Sequence, residues 1–167
     1  KARTVNPTAR IAFYGLYAAL NQQQLLNWGA HAVFGGELEE ALVRWVFANS
    51  STRTYHRPLE RLDFPPLIRA GLPSLDNYAK LKNGTATPLK AGAVEATRGC
   101  RHHCRHCPIP PVYEGRFFVV PIATILADID ALIARGARHI SFVDPDFLNG
   151  PRHALEVVRA LNRAHPK

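Results

Sequence analysis

The 167-residue sequence predicts an α/β fold built on parallel strands, and three observations carry that expectation. Short apolar runs of strand length recur at Ile11–Tyr14, Ala32–Phe34 and His139–Val143. Stretches with apolar residues at the helical period lie between and after them, and glycines close the elements. A strand–helix–strand–helix alternation of this kind packs helices on a parallel sheet.

In chain order, Ile11–Tyr14 ends at Gly15 and leads into a helical stretch from Tyr17 to Trp28, closed by Gly29. After the second run, Gly35-Gly36-Glu37 reads as a strand-to-helix turn rather than a phosphate cradle, because no wider glycine pattern accompanies it. The helix that follows carries Leu38, Ala41, Leu42, Trp45 and Val46 on one face, with Glu37, Glu39 and Glu40 in its first turn, as the helix dipole prefers. Trp28 and Trp45 read as packing residues. Residues 1–48 thus form one α/β segment. Residues 49–92 read as an inter-domain connector, punctuated by Pro58, Pro65, Pro66, Pro73 and Pro88 and carrying a local helix around Leu75 to Leu81.

Residues 93–167 form a second organised block. Val94–Thr97 reads as a short strand, and Pro108, Pro110 and Pro111 forbid a helix through the segment that follows the cysteines. Phe117 to Val120 is extended. A helix then presents Ile122, Ile125, Leu126, Ile129, Leu132 and Ile133, with Asp128 and Asp130 off the centre of that face. The strand from His139 ends at Asp144-Pro145-Asp146-Phe147, and a last helix from Asn149-Gly150-Pro151 turns Leu155, Val158 and Leu161 inward.

Composition excludes several classes. Hydrophobic residues at 47% and charged residues at 20% match soluble globular chains and rule out disordered and collagen-like ones. No apolar run reaches the roughly 18 residues of a membrane span, and no signal-peptide pattern opens the sequence, so a cytoplasmic protein is expected. The net charge of +8 raises nucleic acid as a partner, but the basic residues are scattered rather than gathered in a run or helical stripe, so nucleic acid is not expected. Methionine is absent, position 1 included, which leads to the expectation of an excerpt from a longer protein.

All three cysteines, Cys100, Cys104 and Cys107, fall in a C-x3-C-x2-C pattern. An odd count so closely spaced does not make a disulfide framework. It can make a soft-metal site. With His102, His103 or His106 as fourth ligand it would be a structural Cys3His zinc site; with three thiolates alone it could hold an iron–sulfur cluster with one iron left open. Spacing alone leaves both readings standing.

The motif at the end of a strand, followed by a helix and a second parallel strand, resembles the opening of a radical S-adenosylmethionine (SAM) barrel. Glu95-Ala96-Thr97-Arg98-Gly99-Cys100, Cys107-Pro108 and Asp144-Pro145-Asp146-Phe147 resemble the cobalamin-binding branch of that family, and within it the subfamily described by its CUAEP or CCAEP tail. Residues 1–48, through Gly15-Leu16-Tyr17 and the helix start at Gly35-Gly36-Glu37, are similar to the C-terminal part of a Rossmann-like cobalamin-binding domain. The resemblance implies the end of such a domain, the connector, and then the first βα units of a partial TIM-type barrel.

It further implies that Cys100, Cys104 and Cys107 hold a 4Fe-4S cluster whose open iron binds SAM, and that SAM is cleaved reductively to methionine and a 5'-deoxyadenosyl radical. His106 stands before the last cysteine, where the family's backbone lies near the adenine. Asp144 and Asp146 fall where the family places a Gly-Gly-Glu-type loop for the methionine amino group, although those glycines are missing here. Cobalamin and methyl transfer are the further expectation, against the absence of the Asp-x-His-x-x-Gly motif that supplies a cobalt ligand in many cobalamin domains. A small-molecule or peptide substrate and an electron donor such as flavodoxin or ferredoxin complete what the resemblance implies. A radical SAM enzyme acting on RNA is the alternative within the family, given the basic charge.

Overall fold

A computed structural model describes residues 1–48, 52–65, 67–84 and 86–166. The chain divides into two compact units that do not follow chain order: Lys1–Leu62 with Gly99–Arg116, and Asp63–Arg98 with Phe117–Lys167.

The first unit begins with a helical turn, α1 (Ala2–Val5), and is built on three parallel strands, β1 (Ala12–Tyr14), β2 (Ala32–Phe34) and β3 (Thr54–His56), in that spatial order. All of β2 is buried, as expected of a central parallel strand covered on both faces. The expected helix after β1 is split into α2 (Leu16–Leu20) and α3 (Gln22–Asn27). Asn21 stands at the break with φ of −109°, and its side-chain amide donates to the Tyr17 carbonyl at 2.8 Å, sharing that acceptor with its own backbone amide at 3.1 Å. Helix α4 (Glu39–Ala48) packs Ala41 and Trp45 on Ala32 and Phe34. Phe34 meets Trp45 edge-on and stacks on His56, with centroids 6.0 and 5.1 Å apart. Trp45 is a packing residue as the sequence indicated, whereas Trp28 is 74% exposed. Helix α4 is held at its far end by Arg10, which donates to the carbonyls of Trp45 and Val46 at 2.7 and 3.2 Å. Its guanidinium lies 3.8 Å from the Trp45 ring centroid. A one-turn helix, α5 (Pro110–Tyr113), completes the unit.

In the second unit, β5 (Leu89–Val94) pairs antiparallel with β4 (Lys80–Leu81) and parallel with β8 (His139–Phe142) in the register Ala91↔His139 to Val94↔Phe142. A two-stranded ribbon joins β6 (Thr97–Gly99) to β7 (Phe117–Val119). Helix α6 (Ile122–Ala134) packs Ile125, Ile129 and Leu132 onto Val94 and the rest of the core. Gly92 permits the close approach, since a Cβ there would lie 2.8 Å from Leu132 Cδ1. Helix α7 (Pro151–Ala164) buries Ala154, Val157 and Ala160, while Leu155 and Val158, expected inside, are each 49% exposed. The helix approaches the core through Ala154, Val157 and Ala160, and Leu161 packs against the same core as expected.

The stretch 49–92, expected as an inter-domain connector, contributes strands: β3 belongs to the first sheet, and β4 and most of β5 belong to the second. Asn49 and Pro66 lie outside the described residues. The helix expected near Leu75 is a single 3-10 turn, Leu75–Asn77. Arg69 fastens the stretch to α6 through a bidentate pair with Asp128, at 2.6 and 2.8 Å. Asp128 is 5% exposed, deeper than its place off the helix face implied. Arg135 adds donors to the carbonyls of Arg69, Leu72 and Pro73. Among the described residues no helix is long and apolar enough to cross a membrane.

Candidate metal centre

The cysteines sit on the excursion Gly99–Arg116, which leaves after β5 and β6 and returns to β7. Gly99 turns the chain with φ of 72°, a left-handed conformation that side chains resist. A Cβ at that position would run into the Arg116 carbonyl oxygen and lie 2.8 Å from Tyr113 Cδ1, so the base of the excursion closes because residue 99 has no side chain. Cys100 is buried at this base, Cys104 is exposed and Cys107 is half-buried. The Cys107 amide donates to the Cys104 carbonyl at 3.2 Å, a tight turn that accounts for the two-residue spacing.

After Cys107 the backbone does form a helical turn. Pro110 and Pro111 open α5, in positions whose amide hydrogens have no partner within a helix, so the prolines start the turn where the sequence reading had them forbid it.

All three thiols are free of disulfides. Among the described residues no three Cys, His, Asp or Glu side chains are gathered closely enough to hold a metal ion. The donor set nevertheless fits a thiolate-bound cluster in its chemistry: three free thiols within eight residues, on backbone largely without regular structure. Soft-metal sites commonly draw their ligands together only as the metal binds. His106 is exposed, and His103 folds back on Gly115, where a Cβ would lie 2.7 Å from its Nε2.

Asp144 and Asp146 share the turn that follows β8, and their surroundings differ. Asp144 Oδ1 accepts from the Ala96 amide at 3.0 Å and from Thr97 Oγ1 at 2.6 Å. Its Oδ2 is buried with no hydrogen-bond partner among the described residues. Asp146 caps the 3-10 turn Phe147–Asn149, accepting from the Leu148 amide at 3.1 Å, and its other oxygen lies 3.4 Å from Asn149 Nδ2. The cysteines and these aspartates belong to different units. Sequence reasoning missed Thr97, buried beside Asp144, and His153, whose Nε2 is 3.2 Å from the Ala96 carbonyl. No sequence signal links His153 to Ala96, which lies 57 positions away.

The profile of the Radical SAM superfamily matches residues 94–167. Similar proteins include the ribosomal protein uS12 methylthiotransferase RimO of Alkalilimnicola ehrlichii, 32% identical over 60 residues, covering 36% of this chain and 13% of that protein. The tRNA-2-methylthio-N(6)-dimethylallyladenosine synthase of Magnetococcus marinus is 31% identical over 100 residues, 59% of this chain and 22% of its own. Among solved structures, the radical SAM methyltransferase TsrM of Kitasatospora setae, bound to tryptophan and a SAM analogue, superposes with a TM-score of 0.65 at 15% identity, over 95% of this chain and 34% of its own. TsrM with cobalamin and a 4Fe-4S cluster gives 0.64 at 16%, over 96% and 35%. The chain therefore spans about a third or less of the length of each of these proteins. The fold is the α/β fold with parallel strands that was expected, and it is shared with TsrM over 95% of this chain.

Proposed function

We propose that this chain is part of a cytoplasmic radical SAM enzyme in which Cys100, Cys104 and Cys107 hold a 4Fe-4S cluster, SAM is the co-substrate and cobalamin serves methyl transfer. The observation that carries this reading is the set of three free thiols on one excursion that follows the parallel strand β5 and the short strand β6, wholly inside the segment that matches the superfamily. When bound, the cluster supplies the electron that cleaves SAM. The chain's own part is to present three thiolates and leave the remaining iron free of protein ligands, and to orient SAM through His106 backbone and the loop after β8. Within that loop Asp144 suits an amino group better than Asp146, because its Oδ2 is not engaged by the described residues while both Asp146 oxygens are held locally. Cobalamin is supported by the fold shared with TsrM, whose structure contains it. The electron donor is a flavodoxin- or ferredoxin-type protein, and the substrate is a small molecule or peptide.

Anaerobic reconstitution tests the reading. The expected product is brown, with roughly four irons per chain lost in each Cys→Ala variant and a spectrum that responds to SAM. A colourless protein holding one zinc would replace it with the Cys3His reading. An RNA substrate is the second reading, favoured by the likeness to the tRNA-modifying synthase. It requires RNA binding that weakens as salt rises.

A further inference from the structure

The excursion that carries the cysteines is built in two halves. Its cysteine half, from Arg101 to His106, is exposed throughout. Its return half, Ile109–Arg116, is packed on the first unit, with Val112 1% exposed. Three sets of hydrogen bonds hold it there. Tyr113 Oη donates to Glu37 Oε1 at 3.1 Å and lies 3.4 Å from the Gly36 carbonyl. Arg57 donates to the Val112 carbonyl at 3.0 Å, reaches that of Pro111 at 3.5 Å and pairs with Glu114 at 2.6 Å. Arg116 donates to the Leu59 carbonyl at 2.8 Å.

The Gly35-Gly36-Glu37 turn is shaped for this contact. A Cβ on Gly35 would lie 2.7 Å from the Ala19 methyl and 3.5 Å from Val112 Cγ1, and one on Gly36 would run into the Pro58 carbonyl. Glu37 is fully buried, with its amide donating to that same carbonyl at 2.9 Å. Glu37, expected in the first turn of α4, lies in the bend that precedes it, and a glutamate is ordinarily solvated. Here its carboxylate lies inside the unit with a phenol directed at it.

We infer that Glu37, Tyr113 and Arg57 are positioning residues for the cysteine loop, locking its return half on the first α/β unit so that the three thiols have a fixed base from which to close on a cluster. Ordering a loop before its ligands converge lowers the entropy lost when the metal binds. Cys107 stands two residues before Ile109, where the packed half begins, so the lock acts on the motif through very little chain. The inference rests on the cluster reading for its consequence and on the geometry of the first unit for its cause.

The test uses Tyr113→Phe and Arg57→Gln, singly and together, with two readouts. Amide hydrogen exchange in the metal-free protein should quicken across 109–116 on the order of five- to tenfold for each variant, as loss of one or two hydrogen bonds implies, and stay unchanged in α6 and α7. After reconstitution, iron release to a chelator should quicken by a similar factor, with all three cysteines still present. Unchanged exchange in the double variant would overturn the lock. Faster exchange with unchanged iron release would overturn its positioning role. If the unmodified protein takes up no iron, the cluster reading has failed instead, and the exchange measurement still decides the lock. Should the double variant fail to fold, Tyr113→Phe alone, which removes a single oxygen, supplies both readouts.

Discussion

Thr97 Oγ1 donates a 2.6 Å hydrogen bond to Asp144 Oδ1, and the same oxygen accepts the Ala96 amide at 3.0 Å. This one carboxylate oxygen ties the end of β8 to the turn between β5 and β6. Asp144→Ala would leave a buried hydroxyl and a backbone amide without their acceptor, at a cost of about 1–3 kcal/mol. Urea denaturation should show that loss, and Thr97→Val should show a smaller one. A change below about 0.5 kcal/mol in Asp144→Ala, the range of an ordinary surface substitution, would mean that the tie does not matter.

Arg69 and Asp128 form a bidentate pair with side chains only 16% and 6% exposed. The hydrogen bond that Arg69 donates to Asp128 is the largest influence holding the Arg69 pKa above its ordinary value. Breaking a buried pair by removing one partner strands the other, so Arg69→Met should destabilise by about 3–5 kcal/mol. Replacing both by apolar residues of similar size should recover most of that. A double variant no better than the single one would contradict the pair's role.

Two glycines make a controlled comparison. Gly36 has φ of 65° and its missing Cβ faces the Pro58 carbonyl, a backbone atom that cannot turn aside. Gly71 has nothing within 4 Å of a Cβ. Gly36→Ala should therefore cost several times what Gly71→Ala does, by at least about 1–2 kcal/mol from the left-handed backbone alone. Equal thermal midpoints for the two variants would show that the Gly36 turn can relax.

Lys90 donates to Asp76 Oδ2 at 2.8 Å, and this hydrogen bond is the main reason the Asp76 carboxyl titrates below its ordinary range. A carboxylate depressed in the folded state contributes stability above its unfolded pKa and loses that contribution as the pH falls through the folded one. NMR titration should place Asp76 below the free carboxylate value of about 3.9, and Lys90→Met should move it back up. An unmoved Asp76 in that variant would assign the shift elsewhere. Since Asp76 is exposed to solvent, the effect should shrink as salt is added.

The sequence was most informative where one helix face meets one sheet. Ile125, Ile129 and Leu132 stand at helical spacing and α6 occupies the span they mark, because large aliphatic side chains both define the period and fill the core. It was least informative where packing is done by small residues. The face of α7 is Ala154, Val157 and Ala160, two of them alanines that hydrophobicity alone ranks below Leu155 and Val158. The opening of β5, Leu89-Lys90-Ala91-Gly92, carries little strand signal, and at Gly92 Leu132 occupies the space that a side chain would fill. The cysteine motif was legible from spacing. Its support was not, since Glu37 and Tyr113 meet across 76 positions and the turn that holds Glu37 looks from the sequence like an ordinary strand-to-helix junction.

The three thiols differ in accessibility, with Cys100 buried at the base of the excursion and Cys104 exposed at its crown. Oxidants and alkylating reagents follow thiol exposure, so air reaches the motif at its middle member first. A preparation handled aerobically should lose Cys104 before Cys100, so the modification state of that single side chain should report how far a sample has been kept from oxygen.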